Sequence, residues 1–347
     1  MFYFSNKKMP YYAAFGVSQT PRYNMYRKEF FMKMFIDCDP GVDDSIALLF
    51  ALYRPDVDLV GISTSVGNVS AAQGAENTLR ILKLAGKEGM VPVCVGAETS
   101  MKGITEPFPD FIHGKNGMGD VELPSAQQIP VNMDVCDFMY EKACEYEGEL
   151  VLVTLGRMTN VANTLIKYPD YAKKIKRVVS MGGAVNNYGN VNPGVEANIG
   201  GDPEAADMAV MADWDMTIVG LDVTLQTHLT RADITSLEQY CAPGKKDAVS
   251  FISEELRYYM NGSRVQNYTM DYSPLHDPLA MVVAVDPSVV TTKKMITRIE
   301  CGGTYCRGKV VVDLREQPIE GRFVEHCLDV DSRKALNILF AAFQNEG

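Results

Sequence analysis

From residue 34 onward, short β-branched runs alternate with stretches in which apolar residues recur at helical spacing. The runs at 34–37, 58–66, 91–96, 149–154, 176–183 and 215–221 predict strands, and 44–53, 70–85, 131–147, 160–167 and 203–212 predict the helices between them. Such alternation requires βαβ crossovers, because parallel neighbours cannot be joined by a tight turn. It predicts an α/β fold, a doubly wound and mostly parallel central sheet flanked by helices. The last third reads differently, with helical stretches at 231–239, 246–261 and 277–284, a β-hairpin across 294–313 and a closing helix at 331–343. No Pro/Ser-rich linker, low-complexity run or internal repeat interrupts the pattern. A single domain over 34–347, preceded by an extension at 1–33, is the expected organisation.

Charge and cysteine usage narrow the function classes. The chain of 347 residues carries a formal net charge of −11. The extension is basic, with Lys7, Lys8, Arg22, Arg27, Lys28 and Lys33 against Glu29, so the body is more acidic than the whole. An acidic body disfavours nucleic acid and anionic membrane surfaces as partners and suits small neutral substrates or cations. No apolar run reaches the length of a membrane span. The extension lacks the continuous apolar centre of a secretory signal and is rich in tyrosine rather than serine, so it reads either as a transit-like segment or as sequence upstream of a start at Met32 or Met34. Eight cysteines without a CxxC pair read as reduced thiols in a cytoplasmic protein, Cys301 and Cys306 alone being spaced for a hairpin disulfide.

The chemistry concentrates where strands end, which is where open α/β sheets bind ligands. MFIDCDPGVDD (34–44) places four aspartates around a Pro-Gly turn. Asp43 or Asp44 would cap the following helix, which accounts for one of them. Crowded acids at 39, 43 and 44 would raise one another's pKa unless a cation compensates, and carboxylates select hard cations such as Ca²⁺ or Mg²⁺. A second acid arrives far along the chain in SPLHDPLAM, where His276 and Asp277 precede Pro278 and an apolar helix. Asp-Pro is ordinary helix-start grammar, so the histidine beside it is what distinguishes the site. Asn190, Glu196 and Asn198 lie in the Gly-rich stretch NVNPGVEANIGGDPEA, which reads equally as a solvated loop or as a ring of groups for sugar hydroxyls.

Together these blocks resemble the nucleoside hydrolases of the inosine–uridine type. The resemblance rests on DCDPGVDD, VGN (66–68), HGKNGMG (113–119), GRMTNVA (156–162), VVSMGG (178–183), EANIGGDPEA (196–205), VGLDVT (219–224) and LHDP (275–278), in family order across about residues 34–280. It implies hydrolysis of ribonucleosides to ribose and free base, for purine and pyrimidine salvage, by a homodimer or homotetramer with one Ca²⁺ per subunit. It further implies that Asp39, Asp44, Asp277 and the Leu155 backbone carbonyl hold the ion, with Asp39 also the general base toward its water. Asp43 would take the ribose 2′-hydroxyl with Asn68 helping to fix the site, Asn190 and Glu196 the 5′-hydroxyl, and Asn198 the 3′-hydroxyl. Met181 would line the sugar pocket, and His113 and His276 would face the base, His276 being the candidate acid for the leaving group because an ordinary imidazole titrates near ~6.5.

The chain departs from other members in the loop 184–195 and in Ala197, where some members place an aromatic residue. Its only tryptophan, Trp214, reads as packing, which leaves Tyr258, Tyr259, Tyr268 and Tyr272 as aromatic candidates over the base. Two other readings remain open at this point. A haloacid-dehalogenase-type phosphatase would use Asp37 as nucleophile and Asp39 as acid. A non-catalytic Ca²⁺-dependent nucleoside- or ribose-binding protein would keep the same pocket without turnover.

Overall fold

The computed structural model describes residues 31–105, 107–267 and 272–345. The extension therefore lies almost wholly outside the described residues, as does Tyr268. The strands are β1 (Met32–Cys38), β2 (Val57–Thr64), β3 (Val93–Val95), β4 (Leu150–Thr154), β5 (Ile175–Met181), β6 (Met216–Val219), β7 (His228–Thr230), β8 (Tyr272–Pro274), β9 (Val290–Ile299), β10 (Val310–Asp313) and β11 (Arg322–Val330). The central sheet runs in the order β10-β9-β11-β6-β5-β4-β1-β2-β3, while β7 and β8 pair antiparallel in a separate ribbon. From β3 to β11 every neighbouring pair is parallel, and β9 and β10 close one edge antiparallel. The α/β expectation holds, as does the β9–β10 hairpin, which is part of the sheet itself. The strand β11, between hairpin and β6, was not expected from the sequence.

Strand alternation divides the core in two. On β1, Met34, Ile36 and Cys38 enter one apolar cluster and Phe35 the other, and on β4, Val151 and Val153 oppose Leu150 and Leu152 in the same way. Helices Val42–Tyr53, Ala71–Leu84, Asp277–Val285 and Ser332–Gln344 cover the first face, and Val135–Glu145, Thr159–Lys167 and Pro203–Met211 the second. Residues buried on both faces explain why the strands read as continuous apolar runs. Among the described residues no helix is long and apolar enough to cross a membrane. All eight cysteines are free thiols, so Cys301 and Cys306 do not form the hairpin disulfide that their spacing allowed.

The chain reverses its direction of growth between β1 and β4, since β2 and β3 add on one side of β1 and β5 and β6 on the far side of β4. Strand ends diverge at such a point and leave a crevice. Asp37, at the end of β1, stitches that crevice from below. Its Oδ1 accepts from Ser63 Oγ on β2 (2.6 Å) and from Asn160 Nδ2 on helix Thr159–Lys167 (2.8 Å). Asn160 also donates to the Thr64 carbonyl (3.0 Å) and accepts from Ala97 N–H (2.9 Å), which ties the ends of β2 and β3 to the same hub. Asp37 is wholly buried, and burial pushes its carboxyl up to about 7.

Candidate active site

The pocket at the crevice is walled by Asp43, Asn68, His113, Leu155, Met181, Asn190, Glu196, Asn198, His276 and Asp277, together with Pro109, Ile112, Val191, Ala197 and Tyr259. The residues singled out in the sequence thus converge, from positions more than two hundred residues apart. Asp39 and Asp44 lie just beneath this wall, buried. The pocket reaches them through Asn68, whose backbone N–H donates to Asp39 Oδ2 (2.8 Å) and whose Nδ2 donates to Asp44 Oδ2 (3.2 Å).

Helix Val42–Tyr53 starts from Gly41, not from an aspartate cap. Asp44, at the third helical position, reaches back to Gly41 N–H (2.9 Å) and also accepts from Asp39 N–H (3.3 Å). Asp277 likewise is the first helical residue, with His276 at the cap position, and its carboxyl is hydrogen-bonded to Asp44 instead of capping. Ligand oxygens of Asp43, Asp44 and Asp277 lie within 4.8 Å of one another. The tightest trio therefore contains Asp43, where the resemblance implied Asp39. Asp39 adjoins it, held in place because Gly67 and Gly156 lack side chains. A Cβ on Gly67 would overlap Asp39 Oδ2, and one on Gly156 would stand 2.5 Å from Oδ1.

Burial, and then the facing carboxylate of Asp44, push Asp39 well above the usual carboxylate range. Burial and Asp44 push Asp43 up to about 8. Burial, and then the facing carboxylates of Asp43, Asp44 and Asp39, push Asp277 well above the usual carboxylate range, and its side chain is hydrogen-bonded to that of Asp44. Asp39 Oδ1 and Asp43 Oδ1 are buried without a hydrogen-bond partner. Isolated acceptors of this kind cost free energy unless something positive satisfies them. The donor set is all oxygen, so the residues fit a hard cation.

One positive group near these acids escaped the sequence reading. The side chain of Arg157 is buried along Gly201, and its guanidinium opposes the rise of the Asp39 carboxyl. A charge beside a strand end normally reads as solvated, so nothing local distinguished it.

On the sugar side, Glu196 caps the turn Ala197–Gly201. Its Oε1 accepts from Asn198 N–H (2.8 Å) and its Oε2 from Gly183 N–H (2.8 Å) and Ile199 N–H (3.1 Å). Asn198 Nδ2 donates to the Leu155 carbonyl (2.6 Å) and lies 3.2 Å from Met181 Sδ. Asn190 Oδ1 accepts from Ala197 N–H (3.0 Å). On the opposite side, His113 Nδ1 accepts from Val42 N–H (3.2 Å), so in the neutral ring the proton resides on Nε2. The 3.9 Å approach of the same Nδ1 to Asp43 is therefore not an ion pair, and burial takes His113 down to about 3. His276 Nδ1 lies 2.8 Å from Thr224 Oγ1, and burial takes it down to about 4. Burial thus lowers both rings below the ordinary imidazole value on which the expectation for His276 rested. Of the described tyrosine candidates only Tyr259 lines the pocket, its ring 5.3 Å from that of His113. Tyr258 instead donates to the Asp110 carbonyl, and Tyr272 packs on His228. Trp214 packs on Tyr171 as expected.

Acids and amides gathered at the switch point of a mostly parallel sheet form a site suited to a small polar ligand. Asp37, the nucleophile of the phosphatase reading, is wholly buried and is not among the residues that line the pocket, and its Oδ1 is tied to Ser63 and Asn160. Comparison with known proteins specifies the class. Residues 34–337 match the family model described as inosine-uridine preferring nucleoside hydrolase. Uridine nucleosidase 1 of Arabidopsis thaliana is 38% identical over 281 residues, covering 81% of this chain and 82% of the relative. A solved plant nucleoside hydrolase superposes with a TM-score of 0.84 at 33% identity, over 90% of this chain and 98% of that one. A purine-preferring ribonucleoside hydrolase from Gardnerella vaginalis gives 0.81 at 34% identity, over 89% and 97%. The chain belongs to the inosine-uridine preferring nucleoside hydrolase family and is a ribonucleoside hydrolase.

Proposed function

We propose that the chain hydrolyses ribonucleosides of the inosine and uridine class to ribose and free base, in the cytoplasm, using one Ca²⁺ per subunit held by Asp39, Asp44, Asp277 and the Leu155 carbonyl. The observation that carries this reading is the pair of partnerless buried oxygens, Asp39 Oδ1 and Asp43 Oδ1, beside a pocket lined with amides and acids. Eight free thiols suit a reducing compartment. When bound, the cation would neutralise the facing carboxylates and polarise a water.

In this reading Asp39 accepts the proton of the attacking water, and Asn68 holds Asp39 and Asp44 in register for that transfer. Asp43 takes the ribose 2′-hydroxyl and Asn198 the 3′-hydroxyl. Asn190 and Glu196 take the 5′-hydroxyl, Glu196 being fixed at the pocket wall by its bonds from the Asn198, Gly183 and Ile199 N–H groups. Contacts that tighten as the sugar flattens toward an oxocarbenium-like geometry favour the transition state over the bound substrate. Met181 packs beside the sugar. His113, Tyr259 and His276 meet the base, and the neutral His276 ring donates a hydrogen bond that stabilises the negative charge developing on the leaving base, which then takes its proton from solvent.

A ribose-release panel over inosine, uridine, adenosine and cytidine, with Ca²⁺ or with chelator, tests the reading. Release from inosine or uridine that chelation abolishes is the expected result, and release indifferent to chelation would overturn the metal assignment. His276→Ala is expected to slow inosine turnover by about a hundredfold while sparing a riboside with an activated leaving group. Equal losses on both substrates would make the histidine structural.

A further inference from the structure

The segment that approaches the sugar is poorly supported by its own secondary structure. Between β5 and the turn Ala197–Gly201, the chain VNNYGNVNPGV forms no regular element beyond an isolated bridge between Asn192 and Val195, closed by a few local backbone bonds from Gly189, Asn190 and Val191 to Pro193 and Val195. Loops of this composition hold a conformation only when neighbours hold them. Asp222 does part of this, accepting from Val185 N–H (2.8 Å) and Asn186 N–H (2.7 Å).

The C-terminal hairpin adds a second support from outside the loop. Lys309 Nζ donates to the Ala184 carbonyl (3.1 Å), the residue from which the loop departs. Gly308 has a φ of +91°, and a Cβ there would stand 2.7 Å from Gly200 Cα and from Val195 Cγ1, so the hairpin turn sits directly against the turn that carries Asn198. Val310 fills the space beside Gly183. Arg307 forks onto Glu204 (2.7 and 2.8 Å) and bonds the Cys301 carbonyl (2.6 Å), which pins the hairpin to helix Pro203–Met211. A paired guanidinium fork fixes orientation as well as distance.

We propose that Gly308 and Lys309, at the turn of the β9–β10 hairpin, are positioning residues for the substrate's sugar, holding Asn190 and Glu196 at the distance the 5′ end of the ribose requires. The proposal rests on the assignment of that segment to the ribose. Neither residue touches substrate, and their effect passes through the Ala184 carbonyl and the Gly200 backbone. The hairpin lies beyond the short blocks that carry the resemblance, though within the residues that match the family model.

Two measurements on Lys309→Met and Gly308→Ala test this, with Lys293→Met on the exposed part of β9 as a control. In hydrogen exchange, residues 185–198 are expected to exchange faster in both variants and not in the control; unchanged protection there would overturn the proposal whatever the kinetics show. In steady-state assays, KM for a good ribonucleoside substrate is expected to rise about fivefold to tenfold, while KM for its 5′-deoxy analogue stays put. Equal rises on both substrates would reduce the hairpin to a general structural support and overturn its positioning role. Asn190→Ala is run beside them. If it fails to discriminate the two substrates while the hairpin variants loosen the segment, the ribose assignment of Asn190 falls and the hairpin's hold on the loop stands.

Discussion

Replacement of Asp39 by asparagine is expected to lower ribose release by roughly a thousandfold while making the metal-free protein more stable at pH 8. The two signs come from one geometry. Asp39 lies between Gly67 and Gly156, which leave no room for it to move, so asparagine keeps the shape and loses only the charge. Its Oδ2 bond from Asn68 N–H survives in the amide oxygen. What disappears is a proton acceptor for water and a cation ligand, and with them turnover. In the absence of metal, the wild-type carboxylate faces Asp44 in a buried site with an oxygen that nothing satisfies. Ionising it there costs free energy that the amide avoids. Ribose release and thermal melts in chelator check both signs. A variant that keeps substantial activity, or melts lower than the wild type without metal, would remove Asp39 from the role given to it.

The legible part of this protein was whatever its chemistry concentrated in short stretches. The acid cluster at 39–44, the His276-Asp277 pair and the polar strand ends announced a site because several residues of one kind cannot be crowded without a reason. The alternation of runs announced the sheet. What stayed hidden depended on residues brought together from afar. In β11, Arg322, Glu325 and Asp329 interrupt the apolar pattern, and the strand is recognisable only once β6 and β9 flank it. Asn160 reads as the polar face of a helix, yet it is buried as the partner of Asp37. Arg157 is buried only because Gly201, far along the chain, leaves space for it. The role of Asp44 was half visible: an acid at a helix start was expected, but its reach back to Gly41 depends on turn geometry that the spacing does not specify.

Chelation is expected to cost this protein stability, and the cost is expected to grow with pH. In the metal-free fold, Asp37 and Asp43 are raised to about 7 and about 8, and Asp39, Asp44 and Asp277 are raised too, all first by burial. In the unfolded chain aspartates titrate near ~3.9. The folded state therefore binds more protons, and the stability this confers is complete below about pH 4 and is lost as pH rises toward about 8. A bound cation compensates the ionised carboxylates and displaces those protons, so it binds more tightly as pH rises and removes much of the slope. At a thousandfold excess over its Kd, Ca²⁺ would add about 4 kcal/mol. Melting curves at pH 5, 6.5 and 8, each with Ca²⁺ and with chelator, should show two lines that diverge with rising pH, the metal-free one falling. A calcium-dependent shift that is constant across this range, or largest at pH 5, would mean that the buried aspartates are not the groups that bind the ion. Magnesium at the same concentrations should stabilise less, because a smaller ion demanding near-octahedral order fits a cluster of carboxylates and one carbonyl poorly.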